Sequence, residues 1–310
     1  MNIDLSDSES GIIDSKNVFG GSDNSVDCGV GLFCSSREVL SGVGVVIGNE
    51  LISGFTFKLS IVIDGKFPAA AAGQFIMIRL FDNIGLLLGR PLAIYRVRRG
   101  DVAFGGNDVV EVIYFVVGRL TGRFSELVVG SRVYFWGPLG RGFDVGFNGH
   151  TILVAGGVGY TPFLMLAECL RGVGKVTLLY GARSADRLAP LKDFADLGVD
   201  VRIATDDGSV GFCGVVTKLL PDVYENGESA RVLCCGPAAM LKAAFNVAND
   251  LGLPCVVSLE TPMSCGLGLC YGCVVKVKDE NDPNGWSYKR TCVEGPAFDA
   301  YKLVNFQTAD

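Results

Sequence analysis

Short apolar runs separated by glycine and polar turns dominate the first half of the chain. The runs begin after residue 38, end before residue 147, and each has the length of one β-strand. They lie at residues 43–47, 55–63, 74–80, 91–97, 109–117 and 132–136. This spacing predicts a small antiparallel β-barrel. One short helix is predicted near residues 121–128, where the barrel needs a lid.

Near residue 148 the pattern changes to strands that alternate with helices. Apolar strands are predicted at 151–155, 176–180, 201–204, 231–235 and 255–259. Helical spacing occurs at 163–170, 188–197, 215–220 and 238–251. This alternation predicts a doubly wound parallel α/β domain.

The same patterns divide the chain into four parts. Residues 1–37 are rich in Ser, Asp, Gly and Asn and show no sustained period, so a disordered tail is predicted. The barrel takes residues 38–147 and the α/β domain takes 148–256. Residues 257–310 form a small C-terminal domain, so the fold class is multidomain, β plus α/β.

Four cysteines in this last part have the spacing of a metal cluster. Cys265, Cys270 and Cys273 form a C-x4-C-x2-C pattern, and Cys292 follows after eighteen intervening residues. Plant-type ferredoxins hold a 2Fe-2S cluster with this spacing. Structural zinc and unligated thiols are the alternatives, but zinc sites usually pair their cysteines as C-x2-4-C twice. Two strands joined by the polar turn 279–285 are predicted to return Cys292 towards the loop.

The other seven cysteines have no such spacing and are interpreted as core residues or idle thiols. They are Cys28, Cys34, Cys169, Cys213, Cys234, Cys235 and Cys255.

Composition excludes several classes of function. The net charge of −6 and the lack of a basic run interleaved with aromatics argue against a nucleic-acid surface. Apolar residues make up 49%, yet every apolar run is too short to cross a membrane. The acidic, polar start lacks the features of a signal peptide, so a cytoplasmic location is expected. The one histidine, His150, is predicted to be an exposed residue at a strand start, which leaves the chemistry to redox cofactors.

Two loops of the α/β domain predict a nucleotide site. Gly156, Gly157 and Gly159 follow the first strand and precede Thr161 and a helix, where free N–H groups and the helix dipole favour phosphate. Such glycine turns also serve tight packing. The segment Cys235-Gly236-Pro237 follows the fourth strand, so both loops are expected side by side at the carboxyl edge of the sheet.

With these motifs the chain resembles the ferredoxin-reductase superfamily, and more closely the electron-transfer subunits of bacterial NAD-linked (class 1B) dihydroorotate dehydrogenases. The resemblance covers roughly residues 38–300. The matching segments are Arg90-Pro91-Leu92-Ala93-Ile94, Ile113-Tyr114 with Gly118 and Thr121, Gly137-Pro138-Leu139-Gly140, Gly156-Gly157-Val158-Gly159, Thr205-Asp206-Asp207-Gly208-Ser209, Cys235-Gly236-Pro237 and Lys289-Arg290-Thr291-Cys292.

The resemblance implies three cofactors: FAD on the barrel, NAD on the α/β domain, and a 2Fe-2S cluster on Cys265, Cys270, Cys273 and Cys292. Arg90 is expected to neutralise the FAD pyrophosphate. The FAD contacts implied are Arg90, Pro91, Leu92, Ala93, Ile113, Tyr114, Phe115, Leu120 and Thr121. The NAD contacts implied are Gly156, Gly157, Gly159, Thr161, Cys235, Gly236 and Pro237.

The chain departs from the family pattern at four places. Ala93 stands where the family often has serine, and Phe115 and Leu120 replace an arginine and a glycine. In Glu260-Thr261-Pro262-Met263 the family's arginine is missing.

As the resemblance implies, the partner is an FMN-bearing catalytic subunit, joined in a heterotetramer with two copies of each chain. Dihydroorotate is oxidised on that partner, and electrons pass through FMN, the cluster and FAD to NAD+ in pyrimidine biosynthesis. A flavin is expected because a nicotinamide moves two electrons and a cluster moves one. The cluster loop is expected at the subunit contact, where Leu267, Leu269 and Tyr271 either present apolar surface or pack inward.

Other functions stay open on the sequence. A subunit of an NADH-dependent ferredoxin oxidoreductase, a sulfide dehydrogenase or a cytoplasmic hydrogenase has the same three parts. A zinc-stabilised nucleotide-binding scaffold is the alternative without catalysis. For the nicotinamide, Arg183 and Arg187 favour a 2′-phosphate and Asp186 opposes one, while the family favours NAD.

Overall fold

A computed structural model describes residues 11–14, 38–82, 85–304 and 306. The short strand β1 (Gly11–Asp14) pairs antiparallel with the start of β2 (Glu38–Ser53). A disordered tail was the prediction for this stretch, and the four residues of β1 differ from it because they are too few to give a periodic signal. Residues 1–10 and 15–37, with Cys28 and Cys34, lie outside the described residues.

Six antiparallel strands close into a barrel, as the apolar runs predict. After β2 come β3 (Thr56–Ile63), β4 (Phe75–Leu80), β5 (Arg90–Asp101), β6 (Asn107–Phe115) and β7 (Arg132–Leu139). Their order is β2-β3-β6-β5-β4-β7, and β7 pairs with β2 to complete the circle. Closure removes the open edges that a flat sheet would expose.

The barrel interior is filled by side chains of alternating strand positions. Leu59, Ile61 and Val112 are completely buried there. The helix α1 (Arg119–Phe124) closes one end with Leu120 and Phe124. It is shorter than predicted, but it lies where a lid was expected.

The second sheet has five parallel strands in the order β10-β9-β8-β12-β13, as predicted for a doubly wound domain. The strands are β8 (His150–Gly156), β9 (Val176–Ala182), β10 (Asp200–Thr205), β12 (Ala230–Cys235) and β13 (Cys255–Ser258). Two short strands extend it: β11 (Phe212–Cys213) runs parallel beside β10, and β16 (Ala297–Asp299) runs antiparallel beside β13. Every residue of β8 is buried, so this strand is the centre of the domain.

The helices of this domain are α2 (Phe163–Leu170), α3 (Lys192–Asp196), α4 (Leu220–Val223) and α5 (Ala238–Asp250). α2 and α5 agree with prediction. α3 begins later than predicted because Pro190 disfavours helix in the residues before it. Residues 216–219, predicted as α-helix, form a 3-10 turn that leads into α4. No helix in the described part of the chain has the length and apolar character needed to cross a bilayer.

The C-terminal part is a hairpin followed by a returning strand. β14 (Val274–Lys278) and β15 (Trp286–Arg290) pair antiparallel, with Val274 opposite Arg290. The N–H of Thr291 donates to the carbonyl of Cys273 at 2.9 Å, so the hairpin brings Cys292 back towards the cysteine loop. The chain then re-enters the α/β sheet as β16, where Ala297 pairs with Ser258. The predicted domain boundary at residue 256 falls inside β13.

The barrel contacts both of the other parts. Tyr95 donates a hydrogen bond to Asp193 at 2.6 Å, and Arg96 forms an ion pair with Glu168 at 3.1 Å. On its other side, the indole N–H of Trp136 donates to the carbonyl of Cys265 at 2.8 Å. The barrel therefore holds the α/β domain at one surface and the cysteine loop at another.

The prediction that His150 is exposed is wrong, because the side chain is buried. Only 3% of its surface is accessible, and its Nδ1 and Nε2 atoms lie 2.8 Å from Glu228 and 2.9 Å from Thr177. The neighbouring strands β9 and β12 cover the start of β8, which sequence pattern alone does not reveal. His150 lies at the amino end of β8, opposite the loops predicted to bind nucleotide.

His150 is buried and both ring nitrogens have partners, so His150→Ala would remove these hydrogen bonds and leave a cavity. We therefore expect it to lower the free energy of unfolding of the α/β domain by about 2–4 kcal/mol. Thr177→Val removes only one partner and is expected to cost about 1 kcal/mol. Hydrogen exchange of the β8 amides measures both changes. Reduction of an artificial dye by NADH should persist in both variants at low temperature, and loss of that activity in folded His150→Ala would contradict a purely structural role.

Candidate cluster and nucleotide sites

The four cysteines of the predicted cluster lie together as two pairs. The Sγ atoms of Cys265 and Cys270 are 3.4 Å apart, and those of Cys273 and Cys292 are 3.3 Å apart. A disulfide bond is about 2.05 Å long, so neither pair is bonded. Two thiolates at about 2.3 Å from one tetrahedral metal atom lie about 3.8 Å apart, which is close to the spacing of each pair.

Two pairs suit a cluster of two metal atoms. In the described residues, no group of three or more metal-binding side chains surrounds a single ion position. In a 2Fe-2S cluster held by four cysteines, each iron takes two thiolates. The pairing Cys265 with Cys270 and Cys273 with Cys292 therefore fits this cluster.

The backbone of the cysteine loop is held in conformations that favour glycine. Gly266 and Gly268 have φ angles of 71° and 79°. A Cβ on Gly266 would lie 2.7 Å from Cγ of Met77, and one on Gly268 would lie 2.6 Å from Cγ2 of Val293. Absence of side chains lets the loop wrap tightly between the barrel and the turn after β15.

Backbone donors of the loop face the sulfur atoms. Burial alone would raise the pKa of the Cys265 thiol, but N–H groups of Cys270, Leu267 and Leu269 lower this pKa to about 7. Burial and the neighbouring Cys273 raise the pKa of Cys292 to about 12. The loop thus stabilises negative charge at the sulfur of Cys265. At the second pair, Cys273 and Cys292, binding of iron would displace the thiol protons.

Arg90, the predicted partner of the FAD pyrophosphate, lies exposed at the start of β5. Its guanidinium donates only to the carbonyls of Leu88 and Gly89, at 3.4 and 3.1 Å. Among the described residues, no carboxylate forms an ion pair with Arg90. A planar cation of this kind, without a counter-charge, suits a phosphate.

The other predicted FAD contacts divide into surface and interior residues. Pro91, Ala93 and Phe115 are partly exposed, and Arg90 is exposed. Leu92, Ile113, Tyr114, Leu120 and Thr121 are buried. The Tyr114 hydroxyl donates to Asn49 at 3.0 Å, and the Thr121 hydroxyl accepts from the N–H groups of Val117 and Gly118. The side chains of the interior residues therefore shape the barrel and its lid.

The two predicted nucleotide loops touch at the carboxyl edge of the parallel sheet. β8 and β12 are neighbours, with Ala155 opposite Cys235. A Cβ on Gly159 would overlap the carbonyl of Cys235, and one on Gly236 would lie 3.0 Å from the backbone nitrogen of Gly156. The glycines thus permit the two loops to meet, while Gly157 and Pro237 stay exposed. Thr161 is buried and donates to the carbonyl of Val158, so it stabilises the turn.

Comparison with known proteins places the chain in a family. Residues 260–304 match the family described as the iron-sulfur cluster binding domain of dihydroorotate dehydrogenase B. The chain is 35% identical over 237 residues to the dihydroorotate dehydrogenase B (NAD(+)) electron transfer subunit of Desulforamulus reducens, covering 76% of this chain and 87% of that one. It is 32% identical over 256 residues to the subunit of the same name from Clostridium perfringens, covering 82% and 94%. The chain belongs to this family of electron transfer subunits.

Solved structures agree with this assignment. One chain of the NADH-dependent reduced ferredoxin-NADP oxidoreductase superposes with a TM-score of 0.71 at 27% identity, covering 84% of this chain and 89% of that one. The ferredoxin reductase of carbazole 1,9a-dioxygenase shares the fold with a TM-score of 0.58 at 19% identity, covering 70% and 67%. The barrel and parallel sheet of this family member are thus those of the ferredoxin-reductase fold.

Residues that hold the cysteine loop in place were missed by sequence reasoning. Met77 and Trp136 belong to barrel strands far from the loop in sequence, so no local pattern links them to it. Arg290 belongs to the matching segment Lys289-Arg290-Thr291-Cys292, but the sequence assigns it no role. In the structure its guanidinium donates to the carbonyl of Gly268 at 3.2 Å. Of the cysteines predicted to be core residues or idle thiols, Cys169 and Cys213 are exposed, Cys235 is partly buried, and Cys234 and Cys255 are buried.

Because a Cβ at residue 159 would overlap backbone, Gly159→Ala should force the two nucleotide loops apart. We expect at least about tenfold weaker NADH binding and a loss of more than about 2 kcal/mol of stability. Gly172→Ala is the control, since no atom lies within 4 Å of the Cβ position of Gly172, although Gly172, unlike Gly159, has a positive φ of 75°. It should cost only about 1 kcal/mol and leave binding unchanged. Calorimetric titration with NADH measures the effect, and equal affinities in the two variants would contradict the role of this loop contact.

Proposed function

We propose that this chain carries electrons between the catalytic subunit of an NAD-linked dihydroorotate dehydrogenase and NAD. The observation that supports this most is the arrangement of four cysteine sulfurs in two pairs, 3.4 and 3.3 Å apart, on a loop packed against the barrel. The relatives named as electron transfer subunits align with 76% and 82% of this chain and with 87% and 94% of their own length. We propose domains at residues 38–147, 148–256 and 257–310, of which the last shares β13 with the α/β sheet and returns to that sheet through β16.

Each proposed cofactor has a defined set of protein groups. Cys265, Cys270, Cys273 and Cys292 bind the 2Fe-2S cluster, the guanidinium of Arg90 binds the FAD pyrophosphate, and the glycine loops after β8 and β12 bind NAD. A nicotinamide exchanges two electrons as hydride, an iron–sulfur cluster exchanges one, and a flavin exchanges either number. The task of the protein is to hold these groups close and to exclude other reactions.

The barrel places the cluster loop next to the proposed flavin segment. Met77 of β4 packs against Gly266 of the loop, and Met77 is paired with Pro91 of β5. Ile78 is paired with Arg90 in the same ladder. Adjacent strands lie about 4.8 Å apart, so the loop and the segment that begins at Arg90 are separated by one strand. This closeness supports direct electron exchange between the two sites.

The exposed side of the cysteine loop is proposed as the contact with the catalytic subunit. Leu269 and Tyr271 are 59% and 62% exposed, and Cys270 beside them is also exposed. Leu267 instead packs partly against the barrel. We propose that the partner carries FMN and that two copies of each chain assemble into a heterotetramer.

The loop after β9 supports NAD over NADP. Arg187 lies 3.6 Å from Asp186 and stacks on Phe55 with its guanidinium carbon 5.3 Å from the ring centre. Asp186 also accepts from the hydroxyl of Ser184. A 2′-phosphate would have to displace this pair and meet the carboxylate of Asp186.

Likeness to the reduced ferredoxin-NADP oxidoreductase chain supports a second candidate, a subunit of a ferredoxin-linked enzyme. The dihydroorotate dehydrogenase B subunits are more similar to this chain in sequence, at 35% and 32% identity, than the ferredoxin-NADP oxidoreductase chain is, at 27%. Co-purification of the partner and identification of its flavin and substrate distinguish the two.

Cys270→Ser should abolish NAD-linked oxidation of dihydroorotate by the complex while dye-linked oxidation by the catalytic subunit continues. Removing a ligand should exceed the roughly 10–100-fold loss caused by removing a group that only orients a ligand. Cys169→Ser is the matched control because Cys169 is exposed on α2, and it should behave as wild type. Parallel assays with NAD+ and with a dye, together with iron analysis, measure the outcome. Retention of NAD-linked activity in Cys270→Ser would exclude the proposed route.

Arg90→Met should weaken FAD binding at least about tenfold, since a hydrogen-bonded charge contributes about 1.5–3 kcal/mol. Arg171→Met removes another exposed arginine, at the end of α2, and should leave the flavin content unchanged. Equilibrium dialysis against FAD measures the affinity of both variants. Equal FAD affinity in the two would assign the pyrophosphate to other residues.

A further inference from the structure

Arg290 and Glu294 form a clamp beside the cysteine loop. The Nη2 atom of Arg290 donates to Oε1 of Glu294 at 2.6 Å, and Nε lies 3.3 Å from both carboxylate oxygens. The backbone N–H of Arg290 donates to Oε2 of the same carboxylate at 2.6 Å. The two side chains are only 23% and 33% exposed. This shielding and the multiple hydrogen bonds hold the guanidinium in one orientation.

The remaining donor of this guanidinium reaches the cysteine loop. Nη1 of Arg290 donates to the carbonyl of Gly268 at 3.2 Å. The ring of Tyr271 lies over the guanidinium, with its centre 5.4 Å from Cζ. Arg290 therefore contacts the loop at two points between Cys265 and Cys273.

The carbonyl of Gly268 shares one peptide group with the N–H of Leu269. Carbonyl and N–H point in opposite directions in a planar trans peptide. Since Arg290 binds the carbonyl, the N–H of Leu269 points away from Arg290. This N–H is one of the donors that face Cys265.

The clamp and the fourth cysteine are parts of the same turn. Cys292 lies between Arg290 and Glu294, and the N–H groups of Val293 and Glu294 both donate to the carbonyl of Arg290. Val293 also limits the space at Gly268, where a Cβ would lie 2.6 Å from its Cγ2 atom. The turn thus positions a ligand and the loop peptide together.

We propose that Arg290 is a positioning residue that orients the peptide between Gly268 and Leu269 towards the cluster sulfurs and so raises the reduction potential of the cluster. The proposal rests on the function given above. N–H groups that point at the sulfurs stabilise the additional negative charge of the reduced cluster, and hydrogen bonds of this kind set cluster potentials. Glu294 acts through Arg290, by holding its guanidinium in place.

The test is a redox titration of the cluster, followed by electron paramagnetic resonance, in the complex with its catalytic subunit. Arg290→Met should shift the midpoint potential to more negative values at an unchanged iron content. Arg290→Lys keeps the charge and one donor to Gly268, so its midpoint should lie between those of wild type and Arg290→Met. Glu294→Gln replaces one acceptor oxygen by an amide donor, so Arg290 should loosen and the midpoint should fall.

Glu294→Gln separates positioning from charge, because loss of a negative charge near the cluster would by itself raise the midpoint. Lys289→Met is the matched control, since Lys289 is the preceding residue of β15 and alternation directs it to the other face. Its midpoint should remain near that of wild type.

Three outcomes would overturn the proposal: an unchanged midpoint in Arg290→Met, a raised midpoint in Glu294→Gln, or equal shifts in Arg290→Met and Lys289→Met. If Arg290→Met retains no iron, the result for Glu294→Gln decides. Wild-type protein without iron would instead refute the proposed cluster site itself, so the two failures are distinguishable.

Discussion

The contact between the cysteine loop and strands β4 and β7 is the constraint on which the arrangement of the sites depends. Gly266 allows the loop to lie against Met77, and Trp136 holds the carbonyl of Cys265. Phe75, Leu139, Cys273 and Cys292 complete an apolar cluster around this contact. Two of the four sulfurs are thereby shielded from water, and the loop is fixed to the barrel wall that neighbours the start of β5. A larger side chain at Gly266 would separate the parts that must be close.

A second close approach organises the other end of the molecule. The loops after β8 and β12 meet because Gly159 and Gly236 have no side chains to keep them apart. Their free surface is at the carboxyl edge, where parallel sheets of this type bind ligands. The hydrogen bond between Tyr95 and Asp193 joins barrel and sheet, so the two close approaches are parts of one connected scaffold.

Local patterns predicted the elements well, whereas burial needed the tertiary structure. The six barrel strands and five parallel strands follow from alternation and turn residues, and the grouping of four cysteines follows from their spacing. His150 was assigned to the surface because nothing nearby in sequence indicates that Glu228 and Thr177 enclose it. The burial of the Tyr114 ring and the hydrogen bond from its hydroxyl to Asn49 likewise depend on residues that are distant in sequence. Arg290 lies in a recognised motif, but the sequence does not indicate its role because its partner Gly268 lies on another element.

The pairing of Ser258 with Ala297 has a consequence for how such a molecule is assembled. Everything between these two residues, the complete cysteine loop and its hairpin, leaves the edge of the α/β sheet and returns to the same point. A segment whose ends meet in this way can vary in length without shifting the register of β13 and β16. The thiolate unit is therefore joined to the rest of the molecule in two ways, through these adjacent ends and through its packing on the barrel.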